Sequence, residues 1–400
     1  MPFFKYVVID STSQKINGLI EAKDRASIID SLRKSQFVIV SLKELKGKGL
    51  IKKKGNIKLD DLVIFTRQLS ALVKASIPLL KSLNILFAQV ENRYLRGVIS
   101  SIMTKIESGS SLSSAMASYP EVFSLLYINM IKAGEFSGAL DSILERLAIY
   151  LENTDKLNRK VRAAFIYPTV VVSVALLITA VMFLKVIPGF KNIFSSLGAK
   201  LPLPTLVMIK ASELFQRYFL LIVGFIIIIV FILRRLMKIP RFQLAKDKFK
   251  LNLPVAGRLI RKVAIARFTR TLSTLLKSGV AVLSALEIGS STSGNKIIES
   301  GLKKVGVQVS KGERIGESLA ENKVFAPLVV NLIAVGEETG DIPSMLDKIA
   351  AFYEDEVDTA VSSLTSLIEP FIIVFLGVFI GAIVLAMFLP ILQLSQVVGR

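Results

Sequence analysis

The segment 65–85 reads FTRQLSALVKASIPLLKSLNI, and the segment 268–288 reads FTRTLSTLLKSGVAVLSALEI. Ten of their 21 positions are identical at an offset of 203 residues, and Arg67 and Arg270 are among them. Further along the chain the offset becomes 202, and it then aligns Pro168 with Pro370. Chance does not keep such a register over about a hundred residues, so the chain contains an internal repeat.

Each copy of the repeat has the periodicity of a helical bundle. In the second copy, apolar residues recur at steps of three and four at Leu346, Ile349, Ala350, Tyr353, Val357, Ala360, Leu364 and Leu367. The first copy has a similar apolar face, with Leu140, Ile143, Leu144, Leu147, Leu151 and Leu157. These steps define one face of an α-helix, and several helices per copy predict a bundle. The same helix carries Glu354, Asp355, Glu356 and Asp358, which we interpret as a solvated flank, with a metal site as the alternative.

A Gly-Glu-x-x-Gly motif occurs once in each copy, as GEFSGA at 134–139 and as GEETGD at 336–341. The shared positions are Gly134, Glu135 and Gly138, and Gly336, Glu337 and Gly340. A catalytic or metal-binding group of carboxylates would need Glu338 and Asp341, but the first copy has Phe136 and Ala139 there. We therefore predict a structural corner between two helices, in which one glycine is left-handed and Asp341 caps the next helix. The shared glutamate is expected to bind turn amides or a neighbouring chain. A divalent-ion site at a subunit contact is the alternative.

Three long apolar runs, at 169–184, 218–233 and 371–389, predict membrane-spanning helices. The third run contains Gly377-x-x-x-Gly381, a spacing that lets two helices approach closely. Basic residues are dense before the first run and after the second, and sparser between them. The positive-inside rule therefore places the N-terminal part and the segment 234–365 in the cytoplasm, and the 189–217 loop and the C-terminal tail outside.

Composition excludes several classes of function. The chain has no cysteine and no histidine, and it lacks both a P-loop and a G-x-S-x-G elbow. We predict no enzyme, no cofactor and no metal. A net charge of +20 is compatible with binding to nucleic acid or to anionic lipid. The question of which ligand is bound concerns mainly the lysine-rich stretch 43–58. No aromatic residue interleaves with those lysines, so we favour a linker or a lipid contact over nucleic acid.

The predicted fold class is an all-α integral membrane protein. It has two homologous cytoplasmic helical bundles and three transmembrane helices, preceded by a small α+β N-terminal module. That module is predicted as ββαβ, with strands at 3–9, 17–22 and 37–42 and a helix capped by Asp24 that runs through Arg33. The predicted boundaries are 1–42 for the module, 43–58 for a basic linker, 59–165 for the first bundle, 166–188 for the first span, 189–217 for an external loop, 218–233 for the second span, 234–366 for the second bundle, 367–393 for the third span and 394–400 for the tail.

The residues around the first and third spans resemble a known signature. The pattern comprises Lys160-Val161, Ala164, Tyr167-Pro168, Val171, Ala175 and Ile187-Pro188, followed by Glu369-Pro370 and the segment AMFLPI at 386–391. Together with the paired FTR helices and the two corners, it is similar to the F-type inner-membrane platform proteins of type II secretion systems and the matching type IV pilus assembly proteins. Phe165 departs from the smaller aliphatic residue expected there. The resemblance covers nearly the whole chain.

The resemblance implies a non-enzymatic platform in the bacterial inner membrane. Its implied partners are a cytoplasmic hexameric ATPase, pilin or pseudopilin subunits, other inner-membrane components, membrane lipid and further copies of the chain, with no nucleic acid. The candidate structural or partner-contact residues are Arg67, Gly134, Glu135, Gly138, Tyr167, Pro168, Arg270, Gly336, Glu337, Gly340, Glu369, Pro370, Gly377 and Gly381. The alternative function is a membrane channel or transporter, which would need more ionisable groups at mid-depth in the spans. A membrane-tethered enzyme would lack the side chains for catalysis.

Overall fold

The computed structural model describes residues 3–9, 15–21, 29, 38–45, 57–196, 202–237, 239–254, 256–321 and 324–398. The chain divides into two compact units, Met1–Val122 and Phe123–Arg400. Apart from three strands, the regular structure of the described residues is helical. The predicted fold class, a mostly helical membrane protein with a repeated module, is therefore confirmed.

The strands form one antiparallel sheet in the order β2-β1-β3. β1 (Phe3–Ile9) lies between β2 (Lys15–Glu21) and β3 (Val38–Leu45). All three predicted strands are present, and β3 extends three residues beyond its predicted end. The helix predicted from Asp24 through Arg33 and most of the basic linker lie outside the described residues, so those two predictions stay predictions.

The first unit also contains the initial helices of the first copy. They are α1 (Leu59–Lys74), α2 (Leu79–Gln89), α3 (Arg93–Glu107) and α4 (Leu112–Ala117). Asn92 caps α3, because its side-chain oxygen accepts hydrogen bonds from the amides of Tyr94 and Leu95 at 3.0 and 3.2 Å. The fully buried apolar side chains of these helices include Phe65, Leu69, Leu83, Leu86, Leu95, Ile99, Ile102 and Leu112. Arg67 lies half-buried on α1.

The second unit contains the remaining helices. They are α5 (Leu125–Ser137), α6 (Leu140–Val181), a π-helical turn (Met182–Val186), α7 (Ile187–Ser196), α8 (Leu203–Leu236), α9 (Pro240–Asn252), α10 (Ala256–Lys277), α11 (Val282–Thr292), α12 (Lys296–Ser310), α13 (Ile315–Ala320), α14 (Pro327–Thr339) and α15 (Ile342–Val398). The segment that repeats residues 65–85 therefore lies on α10, α11 and the turn between them.

Two of these helices, α6 and α15, run from a bundle directly into a predicted span. They contain 42 and 57 residues, which corresponds to lengths of about 63 and 86 Å. Their predicted apolar faces are buried near the N-terminal end, from Ile143 to Leu157 and from Leu346 to Val357. Pro168 lies inside α6 and Pro370 inside α15, and neither ends its helix. α6 and α15 thus continue into the predicted spans without a linker.

Three helical segments of the described residues are long and apolar enough to cross a membrane: 140–193, 203–236 and 372–389. Only 6%, 0% and 17% of the most apolar part of each segment is buried within the chain. Soluble proteins bury such surface, so these faces fit a lipid environment. Within the segment predicted as an external loop, 189–217, residues 189–196 and 203–217 are helical, since α7 continues to Ser196 and α8 begins at Leu203.

Side chains of α8 bind two backbone carbonyls near the end of the first span. Pro188 has no N–H, and the preceding π turn leaves the carbonyls of Phe183 and Leu184 without regular helical partners. Ser212 donates to the Phe183 carbonyl at 2.5 Å, and Gln216 donates to the Leu184 carbonyl at 3.2 Å. A backbone carbonyl without a hydrogen-bond partner in lipid costs about several kcal/mol. The two bonds therefore hold α8 against the first span.

The third span is held in the same way. Pro390 cannot donate to the carbonyl of Ala386, four residues earlier, and the hydroxyl of Thr205 on α8 donates to it instead. The N-terminal part of α8 therefore supplies a polar partner to the first span and to the third.

Candidate functional site: the corners and the inter-repeat joint

Both Gly-Glu-x-x-Gly motifs form the predicted corner between two helices. α14 ends at Thr339, Gly340 follows with φ 77°, and α15 begins at Ile342. In the first copy, Gly138 separates α5 from α6 with φ 70°. Asp341 caps α15, because its carboxylate accepts a hydrogen bond from the amide of Ser344 at 3.2 Å. The second glycine of each motif thus supplies the left-handed turn.

The first glycine of each motif has a different role. A Cβ at Gly336 would lie 3.0 Å from the Cα of Ile342, and a Cβ at Gly134 would lie 3.2 Å from the Cα of Leu140. These distances are shorter than ordinary van der Waals contacts. Glycine therefore lets the two helices of each corner approach closely just before the chain turns.

Glu337 connects the second corner to a third helix. Its carboxylate accepts hydrogen bonds from the amides of Ile315 and Gly316, at 2.6 and 2.8 Å. These amides belong to the start of α13 and not to the corner. The prediction that this glutamate binds amides of the corner turn is therefore wrong for Glu337. The contact satisfies donors that a helix start leaves without intrahelical acceptors. In the first copy, Glu135 is half-buried at the end of α5.

The carboxylates of the second corner do not converge. Glu338 is exposed, whereas Glu337 and Asp341 bind separate backbone amides. Among the described residues, no three Asp or Glu side chains are grouped closely enough to hold a metal ion. Nothing in this geometry favours the divalent-ion alternative.

Replacing Glu337 by alanine is expected to destabilise the second bundle, whereas replacing Glu338 is not. The variant Glu337→Ala leaves two amides without their charged acceptor, and we expect a loss of about 1.5–3 kcal/mol in unfolding free energy. Glu338→Ala removes an exposed side chain of the same type and should change stability by less than about 0.5 kcal/mol. Thermal unfolding of the purified protein in detergent measures both. Equal melting temperatures for the two variants would contradict the bonding role of Glu337.

Arg270, a residue shared by the two copies, is placed on α10 against α15. Its guanidinium makes two parallel hydrogen bonds of 2.9 Å to Glu354 and also contacts Asp347. Burial alone would lower the pKa of Arg270, but the bonds and charges of Glu354 and Asp347 outweigh burial and raise it. Lys277 binds Asp347 as well, at 2.9 Å. This ion-pair cluster fastens α10 along the N-terminal part of α15.

The acidic stretch of α15 is therefore not simply a solvated flank. Glu354 pairs with Arg270, Glu356 with Lys262 on α10, and Asp358 with Lys160 on α6. The interpretation as a solvated flank is wrong for these three residues. Their partners are far away in sequence, so only the folded chain brings them together.

The two copies meet where α6 of the first copy packs on α10 and α15 of the second; we call this region the inter-repeat joint. Tyr150 shares a hydrogen bond of 3.1 Å with Thr271, and Arg267 donates to Asn158 at 2.6 Å. Arg146 donates to the carbonyl of Lys277. Burial raises the pKa of Tyr150 and lowers the pKa of Arg267. These bonds connect α6 of the first copy to α10 of the second.

The remaining candidate residues belong neither to the corners nor to the inter-repeat joint. Tyr167 is 46% exposed next to Pro168 in α6. Glu369 falls within α15, but its side chain lies outside the described part of the structure. No described atom lies within 4 Å of a Cβ placed at Gly377 or Gly381, so the chain's own described helices do not use this pair for close packing.

Comparison with known proteins agrees with the repeat and the spans. The family described as "Type II secretion system (T2SS), protein F" matches residues 65–188 and again residues 268–390. Its N-terminal domain matches residues 1–43. The chain belongs to the type II secretion system protein F family. The two family matches start 203 residues apart and end 202 apart, so the predicted repeat and its loss of one residue are confirmed.

Relatives of the protein F family include proteins from both kinds of machine. Type IV pilus assembly protein PilC of Myxococcus xanthus is 42% identical over 85% of this chain and 82% of its own length. PilC of Thermus thermophilus is 39% identical over 98% of both chains. Type II secretion system protein F of Vibrio cholerae is 30% identical over 100% of both. This protein F family member is thus a non-enzymatic inner-membrane platform protein of type IV pilus or type II secretion machinery, with other machine components as partners.

Proposed function

We propose that this platform couples a cytoplasmic hexameric ATPase to the extraction and assembly of pilin-like subunits. The observation that carries the proposal is the continuity of α6 and α15, which extend from the bundles into the membrane without a break. A rigid helix transmits displacement along its length, whereas a flexible linker would absorb it. Motion imposed on a bundle would therefore reach the spans, where pilin or pseudopilin helices lie in the bilayer.

The inter-repeat joint supports a common movement of the two helices. Lys160 of α6 contacts Asp358 of α15, about six turns before the C-terminal end of the first helix and about eleven before that of the second. Arg270 attaches α10 to the same stretch of α15. A push on the second bundle is expected to move both membrane helices together, and further copies of the chain would extend the effect around an oligomer.

The proposed orientation has a cytoplasmic N-terminus and an external C-terminus. It rests on the distribution of lysine and arginine at the ends of the spans. Arg67 and Glu135 of the first copy, Tyr167 and Pro168 at the first span, and Glu369 and Pro370 at the third are proposed as positions that support packing or partner contacts. Gly377 and Gly381 are proposed to pack against a neighbouring chain.

Phe136 offers a direct test of the ATPase contact. It is 96% exposed at the first corner, about 45 Å of helix away from the first span. A photo-crosslinking amino acid at Phe136 is expected to trap the assembly ATPase in cells, with a yield that changes when ATP hydrolysis is blocked. The same amino acid at Leu221, which is 67% exposed within α8, is the matched control and should not trap it. Absence of the ATPase from the Phe136 products, or an equal yield at Leu221, would overturn the proposed coupling.

A further inference from the structure

The short helix α9 begins close to the end of the second span. Only three residues separate the end of α8 at Leu236 from the start of α9 at Pro240, so the gap is at most about 14 Å. The side chain of Gln243 donates to the carbonyl of Met237 at 2.9 Å and fastens the first turn of α9 to the end of the span. α9 must therefore lie close to the membrane surface.

One face of α9 belongs to the second bundle. Asp247 is buried, and its carboxylate accepts a hydrogen bond from the amide of Lys296 at 2.9 Å. The side chain of Asn295 donates to the carbonyl of Asp247 at 3.3 Å. Asp247 is the one acidic residue of α9, and these bonds turn it away from solvent.

The opposite face carries an aromatic ring between two cations. Phe249 is 67% exposed, and Lys248 and Lys250 are exposed on either side of it. An exposed phenyl ring in water is unfavourable, whereas basic and aromatic side chains suit the boundary between lipid headgroups and acyl chains.

We propose that this side of α9, formed by Lys248, Phe249 and Lys250, binds the anionic phospholipid surface of the membrane that α8 spans. The lysines bind phosphate-bearing headgroups, and Phe249 enters the boundary beneath them. Because Asp247 ties the other face to α12, the lipid surface sets the position of the second bundle.

The chain has no tryptophan, so the variant Phe249→Trp reports on this one position by fluorescence. The full-length protein is placed in nanodiscs of phosphatidylcholine alone or with added phosphatidylglycerol, with or without brominated acyl chains. We expect a blue-shifted emission that brominated lipid quenches, and stronger quenching in the anionic discs. Phe136→Trp, which lies far from the spans, is the control and should show neither effect.

Two charge-reversal variants in the Phe249→Trp background test the lysines. Lys248→Glu with Lys250→Glu should abolish the extra quenching in anionic discs. Lys132→Glu with Lys348→Glu makes the same charge change at exposed positions of α5 and α15 near the corners, and should preserve it. Emission of the Phe249→Trp variant that matches that of the Phe136→Trp variant in both lipids would overturn the proposal, as would quenching that is equal in neutral and anionic discs.

Discussion

Valine in place of Gly340 is expected to abolish assembly, whereas asparagine at the same position should preserve most of it. Gly340 has φ 77°, and this left-handed region costs an L-residue about 1–2 kcal/mol, with β-branched residues at the upper end. No described atom lies within 4 Å of a Cβ placed at Gly340, so the strain comes from the backbone alone. Relief of that strain would reopen the corner, separate α14 from α15 and pull Glu337 away from α13.

The effect is measured in a strain whose chromosomal copy has been deleted. Surface filaments and secreted proteins are scored separately, because the relatives include proteins of both machines. Asparagine occupies the left-handed region several-fold more often than most residues, which makes Gly340→Asn the matched control. Gly138→Val should reproduce the loss in the first copy. If valine and asparagine impair assembly equally, a strained corner is not the cause.

Much of the fold could be predicted because the sequence states it twice. The alignment of Pro168 with Pro370, and of Gly138 with Gly340, separates repeated structural positions from residues that occur in one copy. It predicts a left-handed glycine in each corner. A single copy would have left GEETGD open to interpretation as a metal site.

The contacts between helices could not be predicted in this way. Residues 203–217 include Lys210, Glu213 and Arg217 and are too polar to resemble a span, yet they form the first part of α8, from which Ser212 and Thr205 bind carbonyls of the first and third spans. Asp358 binds Lys160, which lies 198 residues away in the chain, and no local sequence pattern predicts such a pair. Tertiary partners decide both cases, and a repeat reveals only what is local to each copy.

α15 is one continuous helix from the corner to the end of the third span. We expect Ser362→Pro to abolish assembly while the protein still accumulates in the membrane. Ser362 is exposed between the ion-paired stretch and the third span, so the substitution disturbs no buried side chain. Proline there removes the bond to the carbonyl of Asp358 and clashes with it, at a cost of about 3 kcal/mol or more.

The geometric consequence exceeds the energetic one. A proline kink of about 20° at Ser362 would displace the corner at Gly340, about 33 Å away, by about 11 Å. The native Pro168 and Pro370 lie further along, at the span entries, and α6 and α15 continue past them without a break. Neither copy has a proline at the position of Ser362. Ser362→Ala, which keeps the helix straight, should assemble normally. Normal assembly by Ser362→Pro at an unchanged membrane level would show that force does not pass along α15, because a rod that bends between bundle and bilayer cannot transmit a push along its axis.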